Sequence, residues 1–328
     1  MRLNLTCFRR EMERHLDQGL RSYVREVLAV FDETVRDYAA DALLLSGGLD
    51  TSVIACLSNR YHKPLTVTVG FADGNAPDIY YARLVAQCFN LQNHVRPFNL
   101  KEAAEAAVYV VKTIKSFDPA EVRNDITIFI GMKHLREMGM NSAVTGDGGD
   151  ELFAGYPFLF KHEHREVTRW IRNVVESWSF AAKPIGESLG LKVLQPLLDE
   201  RIVELALRIP SEFKIAEYKG VTYGKYVLRR AFEKLLPAEV VWRAKDPVEV
   251  GSGSIELSRI FRVSSEEFRK LSKAVPLNDE EQAYYFKIYL ETFGTIPNPK
   301  RGEKTCPRCG AGVQVSRNHC KTCGAYPV

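Results

Sequence analysis

The chain lacks any apolar run near the ~20 residues that a membrane-crossing helix needs. Its opening, MRLNLTCFRREMERH, has no apolar core of the kind a secretory signal carries. Cysteine is sparse in the body, where Cys7, Cys56 and Cys88 stand far apart, and the odd total of seven offers no even framework of disulfides. Cysteines isolated in this way read as small buried hydrophobes. Excess charge of one sign is missing too. The formal balance of +4 neither demands nor excludes a nucleic-acid partner. There is no internal repeat and no low-complexity segment. These absences exclude a secreted disulfide scaffold and a helical membrane protein, and the expected location is the cytoplasm.

What is present is an alternation of elements. Residues 8–38 have helical spacing, with Leu20, Val24, Val27, Leu28 and Phe31 recurring at three and four. Ala42–Leu45 is a short apolar run ending in Ser-Gly-Gly, and Thr51–Leu57 resumes helical patterning. Leu65–Val69 is β-branched and strand-like, Ile79–Phe89 helical, His94–Arg96 a short strand and Lys101–Ile114 an Ala-rich helix. A helix over Ile126–Met138 then leads into a strand at Ser142–Thr145. This order predicts an α/β fold: a doubly wound parallel sheet covered on both faces. Beyond residue 157 helical runs dominate (Glu163–Glu176, Arg201–Leu207, Tyr223–Leu235) and strand signals fade. The expected organisation is a helical segment over 1–38, an α/β core over 39–156 and a helical C-terminal lobe over 157–293. A Pro- and Gly-bearing linker over 294–302 precedes a cysteine-rich module over 303–328.

Two glycine-rich turns follow strands. In Leu43-Leu-Leu-Ser-Gly-Gly-Leu-Asp-Thr-Ser52 the backbone N–H groups and the next helix N-terminus suit an anion, though a plain capped turn has the same composition. It lacks the Gly-Lys-Ser/Thr ending of a Walker loop and is not a G-x-G-x-x-G fingerprint. The second, Val144-Thr-Gly-Asp-Gly-Gly-Asp-Glu-Leu-Phe-Ala-Gly-Tyr156, puts four glycines and three carboxylates into thirteen residues. Its acids, Asp147, Asp150 and Glu151, do not keep the alternate spacing of a calcium loop.

Taken whole, SGGLDTS resembles the pyrophosphate-binding loop of the PP-loop ATP pyrophosphatases, of the adenine nucleotide alpha hydrolase type. TGDGGDELFAGY is similar to the SGEGSDELFGGY motif of the asparagine synthetase synthetase domain. Gln195-Pro-Leu-Leu-Asp199 and the Tyr223–Lys245 block carry the same resemblance, in the family's order over roughly residues 15–255. Argininosuccinate synthetase shares SGGLDTS but not the later motifs. The resemblance implies that ATP is cleaved to AMP and pyrophosphate to activate a carboxylate. It assigns Ser46, Gly47, Gly48, Asp50, Thr51 and Ser52 to pyrophosphate, and Val69, Thr145 and Gly146 to adenosine. Asp50 and Asp150 would hold Mg²⁺ between them, and Lys245 would neutralise charge on the reacting phosphate. Arg123 matches a family arginine that holds a phosphate, and reads equally as an ion pair.

Three departures bear on function. Residue two is Arg2, where the family's glutaminase domain has its cysteine nucleophile, so nitrogen is expected from free ammonia, an amine or a separate ammonia-supplying subunit. Asp147 stands at the family's general-base Glu, and related β-lactam synthetases have Tyr there, which implies a different substrate shape. Finally, Cys306-x₂-Cys309 and Cys320-x₂-Cys323 are foreign to that family and read as a small zinc ribbon, a closed structural Zn²⁺ site. Lys300, Arg301, Lys304, Arg308, Arg317, His319 and Lys321 surround it, a basic surface that suits tRNA or another acidic partner as well as plain solvent. An amide-forming ligase leads. An RNA-modifying enzyme that adenylates a base carbonyl is the alternative, and a non-catalytic binding module the third reading.

Overall fold

A computed structural model describes residues 17–328. Helix α1 (Gln18–Asp37) opens on the Asp17 side chain, which accepts from the Gly19 and Leu20 amides. Residues 8–16 of the expected first helix, and Cys7, lie outside the described residues.

The order that follows is β1 (Ala42–Leu44), α2 (Leu49–Ser58), β2 (Leu65–Phe71), α3 (Asp78–Phe89), β3 (Asn93–Phe98) and α4 (Leu100–Ile114). Then come α5 (Pro119–Glu137), β4 (Ser142–Val144) and the short α6 (Gly149–Leu152). Strand β5 (Lys192–Leu194) completes a parallel sheet in the order β3-β2-β1-β4-β5. β1 is central, with Ala42 opposite Leu65 on one side and Ala143 on the other. The chain therefore winds outward from β1 in one direction and returns to wind in the other. In such sheets the crevice forms at the carboxyl ends of the two strands flanking the switch, here β1 and β4.

Both faces are covered, as a parallel sheet requires. One core joins α1, α2 and α3 to the sheet, with Val27, Phe31 and Ile54 essentially inaccessible. It also takes in α9 (Glu200–Arg208) and α10 (Tyr226–Phe232), which come after α7 (His164–Ser177) and α8 (Ala182–Ser188). The other core joins α4, α5, α8 and α11 (Glu280–Phe293).

Several expectations need correction. The division at 156 does not separate sheet from helices, because β5 lies beyond it. A hairpin of β6 (Ala216–Tyr218) and β7 (Val221–Tyr223) also sits in the expected helical lobe, so the helix expected from Tyr223 begins at Tyr226. Helix α5 begins seven residues before the expected Ile126, because Asp118 caps it and Pro119 sits in its first turn. Cys88 is exposed, unlike the buried Cys56. The cysteine-rich module, with β8 (Glu303–Thr305) paired to β9 (Gly312–Gln314), shares its cysteines with the second core.

Candidate active site

The two glycine turns meet in a cavity of about 520 Å³ at the carboxyl ends of β1 and β4. Ser46, Gly48, Asp50, Thr51, Val69, Thr145, Gly146, Asp147, Asp150 and Lys245 all line it. Gly47, Ser52 and Arg123 do not. Gly47 instead takes a left-handed conformation with the α3 backbone so close that an added Cβ would overlap Tyr81 and Ala82. Ser52 is fully buried. Arg123 is a correction to the phosphate assignment: its guanidinium is tied to Glu249 at 2.7 Å and to Glu281 at 2.6 Å, joining α5 to α11.

The crowding of glycine in the second turn has a steric cause. Gly148 adopts φ 96°, which other residues rarely reach. A Cβ on Gly149 would fall on the Asp50 carboxylate, one on Gly155 on the Asp150 carboxylate, and one on Gly146 would press on Thr51. These glycines let the β4 turn interlock with the β1 turn. As a result Asp50 and Asp150 point into one charged cluster.

Lys225 stands at the centre of that cluster. Its Nζ lies 2.5 Å from Asp50 Oδ2 and 2.7 Å from Asp150 Oδ1, and the side chain is 4% exposed. Lys245 Nζ approaches Asp150 from the other side at 3.7 Å. Burial opposes the Lys225 charge, but the Asp150 and Asp50 carboxylates outweigh it and its pKa is raised. At Asp50 burial prevails over Lys225 and the pKa is raised. At Asp150, which burial also penalises, Lys225 and Lys245 together prevail and the pKa is lowered. Two carboxylates on facing loops suit Mg²⁺, which takes one or two protein carboxylates and leaves phosphate and water to fill its octahedron. Asp50 Oδ1 is buried and has no hydrogen-bond partner, so a donor atom is ready for such an ion.

Asp147 sits apart from these charges. Thr145 Oγ1 donates to its Oδ2 at 2.6 Å and Gln195 Nε2 at 2.7 Å. Burial raises its pKa against both hydrogen bonds, the direction that strengthens a carboxylate as a base. The Arg243-x-Lys245 segment braces the first turn. Arg243 pairs with Asp78 at 2.7 Å, stacks over Tyr81 at 4.1 Å and reaches the Ser46 carbonyl at 3.4 Å. Sequence reasoning missed Lys225, Gln195 and the Asp78–Arg243 pair. Lys225 is within the Tyr223–Lys245 block, but no local pattern marks it as the partner of acids at positions 50 and 150.

The four cysteines converge separately. Their sulfur atoms are buried and lie within 4.8 Å of one another, with Cys306–Cys323 at 3.8 Å and Cys309–Cys320 at 3.7 Å. Four sulfurs about 2.3 Å from one tetrahedral centre are separated by about 3.8 Å, so the thiols can hold one metal ion such as zinc. The surrounding basic residues are largely engaged inward. Lys321 donates to the Ser179 carbonyl at 3.2 Å, Arg317 to the Ser177 carbonyl, and His319 lies 3.5 Å from Asp118. Arg308 donates to Asn278 at 2.7 Å and Lys304 to the Val328 carbonyl at 2.7 Å.

The asparagine synthase family model matches residues 26–194 and 185–275, most of the chain and all of the cavity's charged cluster. The chain belongs to the asparagine synthase family. An asparagine synthetase of Gallus gallus is 28% identical over 271 residues, covering 76% of this chain and 48% of that one. A probable asparagine synthetase of Dictyostelium discoideum is 28% identical over 301 residues, covering 81% and 53%. Asparagine synthetase 1 of Lotus japonicus is 25% identical over 281 residues, covering 76% and 47%. All three are described as glutamine-hydrolyzing. The chain spans about half the length of the curated relatives it matches. The family match supports an ATP-dependent synthetase domain. Among the described residues no helix is long and apolar enough to cross a membrane.

Proposed function

We propose that the protein is an ATP-dependent amide-forming ligase that activates a carboxylate as its acyl-adenylate and passes it to ammonia or an amine. The observation that carries this reading is the convergence of Asp50, Asp150, Lys225 and Lys245 at the switch point, with Asp147 lining the same cavity. The turn after β1 would cradle pyrophosphate, and Val69, Thr145 and Gly146 would flank adenosine. Asp50 and Asp150 would hold Mg²⁺, which when bound offsets the phosphate charge. Lys225 and Lys245 stabilise the negative charge that builds as the α-phosphate is attacked by the carboxylate, a preorganised electrostatic role. The acyl carbon then loses AMP as the amine forms its C–N bond, and Asp147 takes the amine proton. The nitrogen source is free ammonia, an amine substrate or a separate subunit. Zn²⁺ in the four-cysteine site has a structural role, since a set of four thiolates leaves no open position. The RNA-modifying alternative drew on a basic ribbon face, and most of that face is spent on contacts within the chain.

The test is pyrophosphate release from Mg²⁺-ATP across a panel of small carboxylates and amines, with and without bulk tRNA. Release that needs a small acid is expected, and Lys245→Met should lower kcat by about 10²–10³-fold, the scale of losing one preorganised charge donor. Release that occurs only with RNA sinks the ligase reading.

A further inference from the structure

Helix α5 and its N-cap carry three acids at spacings of three and four, Asp118, Glu121 and Asp125, which therefore lie on one side. Asp118 is engaged, capping the Ala120 amide at 3.2 Å and facing His319. The other two are not fully partnered. Asp125 is 4% exposed, and its Oδ2 is buried with no hydrogen-bond partner. Glu121 Oε2 is buried without one as well. Burial pushes the Asp125 carboxyl well up, and the charges of Glu121, Asp147 and Asp118 add to this. Burial also raises Glu121, with Asp118 adding.

Three segments meet around these acids: α5 itself, the ribbon turn at 319–322, and the stretch from Ser177, which Arg317 and Lys321 tie to the ribbon. The Phe117 amide donates to the Thr322 carbonyl at 2.8 Å, which locks ribbon to helix. Lys321 is the cation that acts on both acids, yet its ammonium donates to the Ser179 carbonyl at 3.2 Å. Helix α5 and the stretch from Ser177 also reach the active-site cavity, through Asn124, Thr127, Ile128 and Phe180. The acids thus stand behind the cavity wall, within range of the Asp147 charge.

Two buried carboxylate oxygens without partners call for a ligand that brings positive charge and N–H donors. We propose that Asp125 and Glu121 bind the nitrogen substrate in its cationic form, ammonium or a primary alkylammonium, behind the wall of the cavity that Asp147 lines. The proposal rests on the ligase reading and assigns its second substrate. The ammonium leaves one proton on the Asp125 or Glu121 carboxylate as the free amine enters the cavity. The free amine then forms the C–N bond while the acyl–phosphate C–O bond breaks and AMP leaves. A second proton passes to Asp147.

Thermal unfolding of the full chain in ammonium chloride, methylammonium chloride, potassium chloride and tetramethylammonium chloride at matched ionic strength tests this. Ammonium and methylammonium should raise Tm in a saturable way, and the other two salts should not. Asp125→Asn and Glu121→Gln should each weaken the apparent ammonium affinity by about tenfold or more, the loss of one charged hydrogen bond. The Tm rise produced by Mg²⁺-ATP checks that each variant is folded and should survive in both. An equal effect of potassium, no shift in the wild type, or an unchanged ammonium affinity in variants that still respond to ATP overturns the proposal. An ammonium shift that depends on Asp125, in a protein releasing no pyrophosphate with any acid, supports this site while sinking the ligase reading.

Discussion

Asp147 and Gly149 show how much a single position carries in this site. Asp147 is held by Thr145 and Gln195 and raised in pKa by burial. A raised pKa leaves the carboxyl protonated, and so unable to accept a proton, until pH climbs through that value. Amide formation should therefore fall on the acid side, while the pyrophosphate-exchange half-reaction, which needs no base on the amine, should not follow that limb. Asp147→Asn should lower amide formation by about 10²–10⁴-fold, the usual contribution of a positioned base, and remove the limb. A pH profile unchanged by the substitution would exclude Asp147 as the base. Gly149 has a steric role. In Gly149→Ala the new methyl meets the Asp50 carboxylate, so Mg²⁺-ATP binding should weaken while the circular dichroism spectrum holds. Calorimetric affinity for Mg²⁺-ATP equal to that of the wild type would rule out the interlocking of the two turns. At this scale the placement of Asp50, Asp147 and Asp150 in one cavity was legible, because each lies in a turn that directly follows a strand. Lys225 was not, since it meets Asp50 across 175 positions of chain.

Among the elements, α5 carries the most varied load. Its Asn124, Thr127 and Ile128 wall the cavity, its acids face the ribbon, and Arg123 binds it to α11 and the 248–251 turn. Sequence resemblance sends Arg123 to a phosphate, because the partners that claim it are 126 and 158 residues away and no local pattern names them. The strand at Lys192–Leu194 was missed for a related reason: three residues carry too little alternation to read as a strand, and its place in the sheet comes from pairing with β4. The longer helices and β2 were legible because their periodicity extends over several turns. Removing one partner of a buried ion pair strands the others' charge. Arg123→Met should accordingly cost about 3–5 kcal/mol in urea unfolding, as a buried pair broken on one side does. The KM for ATP should change little in the protein that remains folded. A large KM effect with unchanged stability would return Arg123 to the phosphate site.

For the whole molecule the question is whether the ribbon is an appendage or part of the core. The sequence reads as an appendage, because a Pro- and Gly-bearing stretch precedes two separate cysteine pairs. The structure joins it to the body. Cys306, Cys309, Cys320 and Cys323 share a core with Phe117, Phe286 and Tyr289, and Gln282 Nε2 donates to the Cys323 carbonyl at 2.8 Å. In small zinc modules the metal supplies about 10–16 kcal/mol of apparent folding energy, so its loss should unfold the ribbon. Unfolding here would also expose the Phe117 side of the second core and release residues 177–180, which Arg317 and Lys321 hold against the cavity wall. Chelation of the metal, or Cys320→Ser with Cys323→Ser, should therefore lower the Tm of the whole chain in a single transition. Hydrogen exchange should rise at 116–118 and 177–182 as well as in the ribbon. A separate low-temperature transition confined to 303–328, with protection at 177–182 unchanged, would mean that the ribbon and the synthetase domain fold independently.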